Sequence, residues 1–280
     1  MKDLFFMPII KLAFASDLHL PITSRNAIAS LAREVALFSP DAFILAGDIA
    51  ESLADFAECL RLIRTTVSAP ILVLPGNHDL WARGFPSRTK WESRLAEIVA
   101  EEGCTWFEGR SWSQHGIAVA GTIAWYDYSA KDPLINATPD DIAREKKYYN
   151  PDGYEIDWWW SDPEFARMVA RPFLETLDQL EADPAIYQIV VATHVPLVEC
   201  QMCRDSGNTD WAFSNAYFGN LTLGAKVLAH RKVSHIISGH THVERRGRVL
   251  RADDPPVEAC VIPSHYNAPS WVQLTLTYDV

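Results

Sequence analysis

Five short stretches of the chain carry side chains that bind metal ions or move protons: Asp17 and His19, Asp48, Asn77 and His78, His194, and His240 with His242. Each alone has an ordinary explanation, since Gly-Asp is a common turn and a lone histidine at a strand end is usually structural. Together they share a context. Each cluster follows directly on a short apolar run, at 9–15, 42–46, 71–74, 186–193 and 233–238. Parallel strands that end side by side deliver the residues after them to one edge of a sheet. The donors are imidazole nitrogen and carboxylate or amide oxygen, with no thiolate. That set suits Mn²⁺, Fe²⁺ or Zn²⁺ in a working site better than a structural zinc, which favours sulfur. On an extended chain, residues i and i+2 point the same way. Asp17 and His19 are therefore expected to reach one centre, and His240 and His242 one centre or two neighbouring ones.

The elements that must position these residues are legible as periodicity. Residues 26–38 read as a helix with Ile28, Leu31, Val35 and Phe38 on one face, stopped by Ser39-Pro40. Ser52 reads as an N-cap for a helix that buries Leu53, Phe56, Leu60 and Ile63. A third helix is expected over 88–100. Strand and helix alternate through this half, the pattern of a mostly parallel sheet covered by helices. Short strands are expected at 105–107 and 117–120, and closing strands at 249–251, 259–262 and 271–277. Residues 122–172 differ, with Trp125, Tyr126, Tyr128, Tyr148, Tyr149, Tyr154 and the run Trp158-Trp159-Trp160. Asp162-Pro163 is a helix start, with Phe165, Met168, Val169 and Phe173 continuing it and Pro172 kinking it. One domain spanning 1–280, with an insertion or lid at about 122–172, is the simplest arrangement.

The totals narrow the function. A chain of 280 residues that is 48% hydrophobic with ten Trp builds a sizeable core. A net charge of −11 and the lack of a basic stripe argue against a broad nucleic-acid surface or an anionic membrane partner. Five cysteines, an odd number, read as reduced thiols. Cys200-x-x-Cys203 reads as ordinary loop, with a minor metal or redox role as the alternative. Residues 4–14 are apolar but interrupted by Pro8 and Lys11, and signal-peptide cleavage there would remove the first strand. With no membrane-spanning run either, the expectation is a cytoplasmic protein.

Asp17-x-His19, Gly47-Asp48, Gly76-Asn77-His78-Asp79, His194 and Gly239-His240-Thr241-His242, in that order, resemble the signature of the calcineurin-like metallophosphoesterase superfamily. The resemblance implies an α/β fold, a two-sheet β-sandwich flanked by helices (α/β/β/α). It also implies two divalent metal ions, Mn²⁺ or Fe²⁺ first and Zn²⁺ next. Asp17, His19 and His242 would hold one, Asn77, His194 and His240 the other, and Asp48 would bridge both. A hydroxide between the metals would attack phosphorus in line, with His78 protonating or stabilising the leaving oxygen. Asp79 is expected behind the ligands or as a helix cap. Glu51 either orients His78, as an acidic residue does in one branch of the family, or is a solvated first-turn glutamate.

Departures from the family's branches narrow the substrate. Gly47-Asp48-Ile49-Ala50-Glu51-Ser52 lacks the phosphate-gripping Arg of the protein phosphatases, and Glu51 stands where purple acid phosphatases carry a tyrosine ligand. What remains resembles the bacterial phosphodiesterase-like group. The expected substrate is a small phosphodiester, nucleotide-like in one reading, with a monoester or nucleic-acid substrate, or a non-catalytic scaffold, as alternatives. Trp125 and Tyr126 are candidate lid residues that stack on a substrate; the plainer reading of the insertion is packing and self-association into a homo-oligomer. Lys146 and Lys147 either steer phosphate or sit on a solvated face.

Overall fold

The structure is a computed structural model that describes residues 8–205 and 207–278. Residues 4–7 of the apolar N-terminal stretch therefore lie outside the described residues. The first half runs β1 (Ile9–Ala15), α1 (Arg25–Phe38), β2 (Ala42–Ala46), α2 (Leu53–Arg64) and β3 (Ile71–Leu74), then a 3₁₀ turn at His78–Leu80. Ser24 and Ser52 cap the two helices by accepting from Ala27 N and Asp55 N. A continuous helical run follows, made of α3 (Ser87–Thr89), a π-helical stretch (Lys90–Arg94) and α4 (Leu95–Glu101). Next come β4 (Thr105–Trp106), β5 (Arg110–Gln114), β6 (Ile117–Thr122), α5 (Pro139–Tyr149), α6 (Asp152–Glu155) and α7 (Asp162–Ala182). The chain closes through β7 (Gln188–Thr193), α8 (Thr209–Ser214), α9 (Leu221–Val227), β8 (Val233–Ser238), β9 (Arg245–Val249), β10 (Val257–Val261) and β11 (Trp271–Thr277). None of the described helices is long and apolar enough to cross a membrane.

The strands form two mixed sheets flanked by helices, as the family resemblance implies and in place of the single mostly parallel sheet that the strand–helix alternation alone suggests. The first has the order β11-β1-β2-β3-β4 and the second β5-β6-β7-β8-β10-β9. Their centres are parallel, while β11 on β1, β5 on β6 and β9 on β10 pair antiparallel. Alternation along each strand explains the layers. Ile10, Leu12 and Phe14 of β1 meet Val119, Val190 and Ile237 of the second sheet in an inter-sheet core. Ala13 and Ala15 face the other way, into the core that α1, α2 and α4 cover. Ala118, Ala120, Ile189 and Val191 do the same beneath α7 on the far side. Strands buried on both faces read as unbroken apolar runs, so their pattern does not say which sheet they join.

Three expectations shift. β5 and β9 are polar edge strands whose residues alternate exposed and half-buried, which hid β5 and displaced β9 from 249–251. α5 lay unseen in the insertion, because its start depends on a capping box between Thr138 and Asp141 and most of its surface is charged. α7 holds Pro172 in its interior and continues to Ala182.

The aromatic residues of 122–172 divide between core and surface. Trp125 and Tyr126 are fully buried. The Trp125 ring packs against Phe165, Trp158 and Tyr126, and its Nε1 donates to Asp162. Asp162 also accepts from the Tyr128 hydroxyl and pairs with Lys146 Nζ at 2.7 Å. Lys146 is thus a buried counter-ion and not a solvated or phosphate-steering group, while Lys147 is exposed. Replacing Trp125 with Ala is expected to cost about 3–5 kcal/mol of unfolding free energy in urea, as loss of a core aromatic does. A lid residue would instead leave stability unchanged and lower activity.

Candidate metal centre

The clusters meet where the carboxyl ends of the two sheets adjoin. Asp17 and His19 follow β1, Asp48 follows β2, and Asn77 and His78 follow β3, all from the first sheet. His194 follows β7, and His240 and His242 follow β8, from the second. Hydrogen bonds stitch the two together: His240 N donates to the Asp17 carboxylate at 3.1 Å, and His194 Nδ1 lies 2.9 Å from Ala46 O.

The residues do not project from extended chain. Asp17, His19, Asp48, His240 and His242 have φ of 57°, 48°, 54°, 74° and 56°, all left-handed. Each such non-glycine residue costs roughly 1 kcal/mol or more, a strain that gathers at functional sites. The i, i+2 pairs converge through these left-handed kinks, with Leu18 turned into the core between Asp17 and His19. Gly76 and Gly239 allow the close approach. A Cβ at Gly76 would stand 2.1 Å from Asp48 Oδ1, and one at Gly239 1.9 Å from Ser16 Oγ.

Donor geometry tests whether these residues suit metal ions. His194 Nδ1 and His240 Nε2 each lie 2.9 Å from a carbonyl oxygen, of Ala46 and Tyr217. A carbonyl only accepts, so those nitrogens carry the ring protons. Burial holds both imidazoles below their ordinary pKa, so the rings are neutral. The other nitrogens, His194 Nε2 and His240 Nδ1, therefore present lone pairs. Asn77 Nδ2 donates to Asp152, which turns Asn77 Oδ1 inward. Three lone-pair atoms then face one another at 2.9, 3.1 and 3.2 Å with no proton between them, and Asp48 Oδ1 lies 3.4 Å from His194 Nε2. Ligand bonds of about 2.1 Å put neighbouring ligand atoms about 3 Å apart. The cluster fits a cation and suits little else.

Beside it, His19 Nε2 lies 3.2 Å from His242 Nε2 and 3.6 Å from Asp48 Oδ2, and His242 Nε2 lies 3.4 Å from Asp17 Oδ1. Burial, with His78, His242 and His240 adding to it, pushes His19 down to about 2, and its buried Nδ1 has no hydrogen-bond partner. Asp48 thus turns one oxygen to each cluster. Its own carboxyl is held well above the usual range, first by burial and then by Asp17 and Asp79, with His78 opposing.

His78 lies on the open side, with a side chain 16% exposed. Its ring stacks on Trp81, its Nδ1 meets Glu51 Oε1 at 3.3 Å, and its Nε2 points to Asp48 Oδ2 at 3.8 Å. Burial pulls His78 down, but the Asp48 carboxylate and the Glu51 hydrogen bond more than offset it and raise it to about 9. Glu51 is no free surface group, since Arg83 pairs with it and with Glu155. Asp79 accepts from Ile49 N, Ala50 N and Gly76 N at 2.8–2.9 Å, bracing the loops that carry Asp48 and Asn77 instead of capping a helix.

Sequence reasoning missed Asp152, Arg83 and Tyr266. The Tyr266 ring stands half-exposed, 4.9 Å from the His19 ring and 5.2 Å from that of His242, at the mouth of the site. Asp152 and Tyr266 are brought in by segments distant in the chain, and Arg83, which closely follows Trp81, is placed only by its ion pairs with Glu51 and Glu155. The five cysteines are free thiols and none joins these clusters, although Cys203 Sγ accepts from Arg245 at 2.9 Å.

The solved structures similar to this one include a phosphopantetheinyl hydrolase from Mycobacterium tuberculosis. That likeness has a TM-score of 0.68 and 20% identity over 94% of this chain and 95% of the other. A dimetal phosphatase from Danio rerio aligns with a TM-score of 0.57 and 13% identity over 97% of this chain and all of that one. A purple acid phosphatase from yellow lupin gives 0.53 and 11% over 96% of this chain and half of its own. At such identities these likenesses establish the fold. No curated protein matches the chain in sequence. The sequence itself matches the calcineurin-like phosphoesterase family over residues 10–244, most of its length, with the paired His/Asp clusters that a dimetal-dependent family requires. The chain belongs to the calcineurin-like phosphoesterase family.

Proposed function

We propose that the protein hydrolyses a small phosphodiester with two divalent metal ions, Mn²⁺ or Fe²⁺ before Zn²⁺. The observation that carries this reading is the pair of adjoining donor clusters with one Asp48 oxygen directed into each. Asp17, His19 and His242 would hold one ion, Asn77, His194 and His240 the other, with Asp48 shared. Bound there, the ions would polarise the phosphoryl oxygens and lower the pKa of a water for attack on phosphorus. His78 Nε2 supplies the proton for the leaving oxygen. Glu51 holds Nδ1 so that Nε2 faces the site, and Trp81 fixes the ring plane. Arg83, linked to the site through Glu51, divides its charge between Glu51 and Glu155 and has little left for a dianionic monoester. That favours a monoanionic diester. The exposed Tyr266 ring offers a stacking face for a nucleotide-like leaving group. Self-association through Tyr148, Tyr154 and Trp159, which stand exposed on the insertion, belongs to the same proposal.

The test is metal-stripped protein titrated with Mn²⁺ against bis-p-nitrophenyl phosphate and p-nitrophenyl phosphate. Mn²⁺-dependent turnover of the diester at a kcat/KM at least tenfold above the monoester is expected. Turnover of the monoester alone would keep the metal centre and overturn the substrate class. Two bound ions with neither turned over would favour the scaffold alternative.

A further inference from the structure

We propose that Asp152 is the positioning residue for Asn77, holding its side-chain amide so that Oδ1, and not Nδ2, faces His194 and His240. This deepens the proposed function and rests on reading Asn77 as a metal ligand. The two ends of an amide are nearly identical in shape and opposite in chemistry. Flipped, Asn77 would present an NH₂ to the two imidazole lone pairs and could not bind a cation there. Something must decide the orientation, and among the described residues the one side-chain hydrogen bond Asn77 makes away from the cluster is the 2.9 Å bond from Nδ2 to Asp152 Oδ1. A carboxylate only accepts, so it repels the flipped form outright.

Asp152 is itself fixed. It is 1% exposed and takes three donors, Asn77 Nδ2 and Trp81 Nε1 (2.6 Å) on Oδ1 and the Tyr126 hydroxyl (2.7 Å) on Oδ2. Its backbone N donates to Asn150 Oδ1 at 2.8 Å. The helix it begins is strapped to the segment after His78 by Ala82 N donating to Glu155 O and by the Arg83–Glu155 ion pair. Trp81 at once stacks on His78 and donates to Asp152, so one carboxylate supports a ligand and braces the proposed proton donor's neighbour. The insertion thereby gains a role other than a lid: it carries a carboxylate to the back of the metal centre, and Tyr126 helps hold that carboxylate in place.

The test is Mn²⁺ binding to metal-stripped protein, read by equilibrium dialysis and by the spin-coupled signal of a Mn²⁺ pair. In Asp152→Ala, one of the two sites is expected to weaken by about 10–100-fold, the usual effect of losing a ligand's supporting partner, while the other is unchanged. Asp152→Asn keeps an acceptor oxygen for Asn77 and Trp81 and is expected to bind both ions within about threefold of wild type. Asp152→Ser, with a smaller cavity, carries the expectation for Ala if the Ala variant does not fold. In Asn77→Ala protein, adding Asp152→Ala is expected to cost nothing further, as for two residues acting through one contact. Folded Ala and Ser variants with two unchanged sites would overturn the proposal. So would equal weakening of both sites, or a loss that adds in full to that of Asn77→Ala. A wild-type protein that binds no second ion would overturn the metal-centre reading as well, which distinguishes the two failures.

Discussion

Asp48→Ala is expected to reduce bound Mn²⁺ from two ions to one or none and to lower kcat/KM for the diester by roughly 10³–10⁵-fold. That factor corresponds to several kcal/mol of transition-state stabilisation at 1.4 kcal/mol per decade. The size follows from where the carboxylate stands. Asp48 Oδ2 lies 3.6 Å from His19 Nε2 and Oδ1 lies 3.4 Å from His194 Nε2, so one side chain serves both clusters. It also accepts from His78 N at 2.9 Å, which sets the turn carrying His78. Asp48→Asn would keep one oxygen and fall between. The Ala variant should also lose most of the rise in melting temperature that Mn²⁺ gives wild type, since ions that bind only the folded state stabilise it. Metal content by elemental analysis, melting with and without chelator, and diester turnover check the three parts. An Ala variant that still binds two ions would remove Asp48 from its bridging position.

His78→Ala is expected to leave two ions bound and KM nearly unchanged while lowering kcat by about 10²–10⁴-fold for a diester with a basic alcohol as leaving group. The loss should shrink for bis-p-nitrophenyl phosphate, whose leaving group departs without a proton. This contrast separates proton donation from binding. His78 Nε2 faces the site, its Nδ1 is tied to Glu51, and its ring lies against Trp81, so the side chain is aimed yet makes no hydrogen bond to the His and Asn donors of either cluster. Equal loss for good and poor leaving groups would assign His78 to substrate binding. Loss of an ion would make it a ligand, a role its 3.8 Å separation from Asp48 Oδ2 also permits within the His19–Asp48–His78 group.

How far the site could be read in advance depended on how local its determinants are. The left-handed turns were not legible. Periodicity describes strands and helices, and nothing in Asp17-Leu18-His19 announces that both polar residues take positive φ. Glu51 offered two readings, surface glutamate or partner of His78, and only the 3.3 Å contact and the Arg83 pairing choose between them. Trp125 and Tyr126 show a sharper failure. Aromatic richness marked the insertion, but composition does not distinguish rings that face a ligand from rings that fill a core. That distinction is made by α7, which brings Phe165 and Asp162 against them.

Strand ends and ligand types were legible in the order of residues alone. Apolar runs of strand length are local, and a metal-binding side chain directly after one is a local fact as well. Five such coincidences in one chain were enough to name the donors and, through their order, the family. The resemblance implied two sheets and a shared Asp48, but which run joins which sheet, which Asp48 oxygen faces which cluster, and the place of Asp152 behind Asn77 emerge only from packing. These features join groups far apart along the chain. Strands buried on both faces carry no mark of their neighbours, and hydrogen bonds between groups 75 residues apart, as in the Asn77–Asp152 pair, leave no period to read.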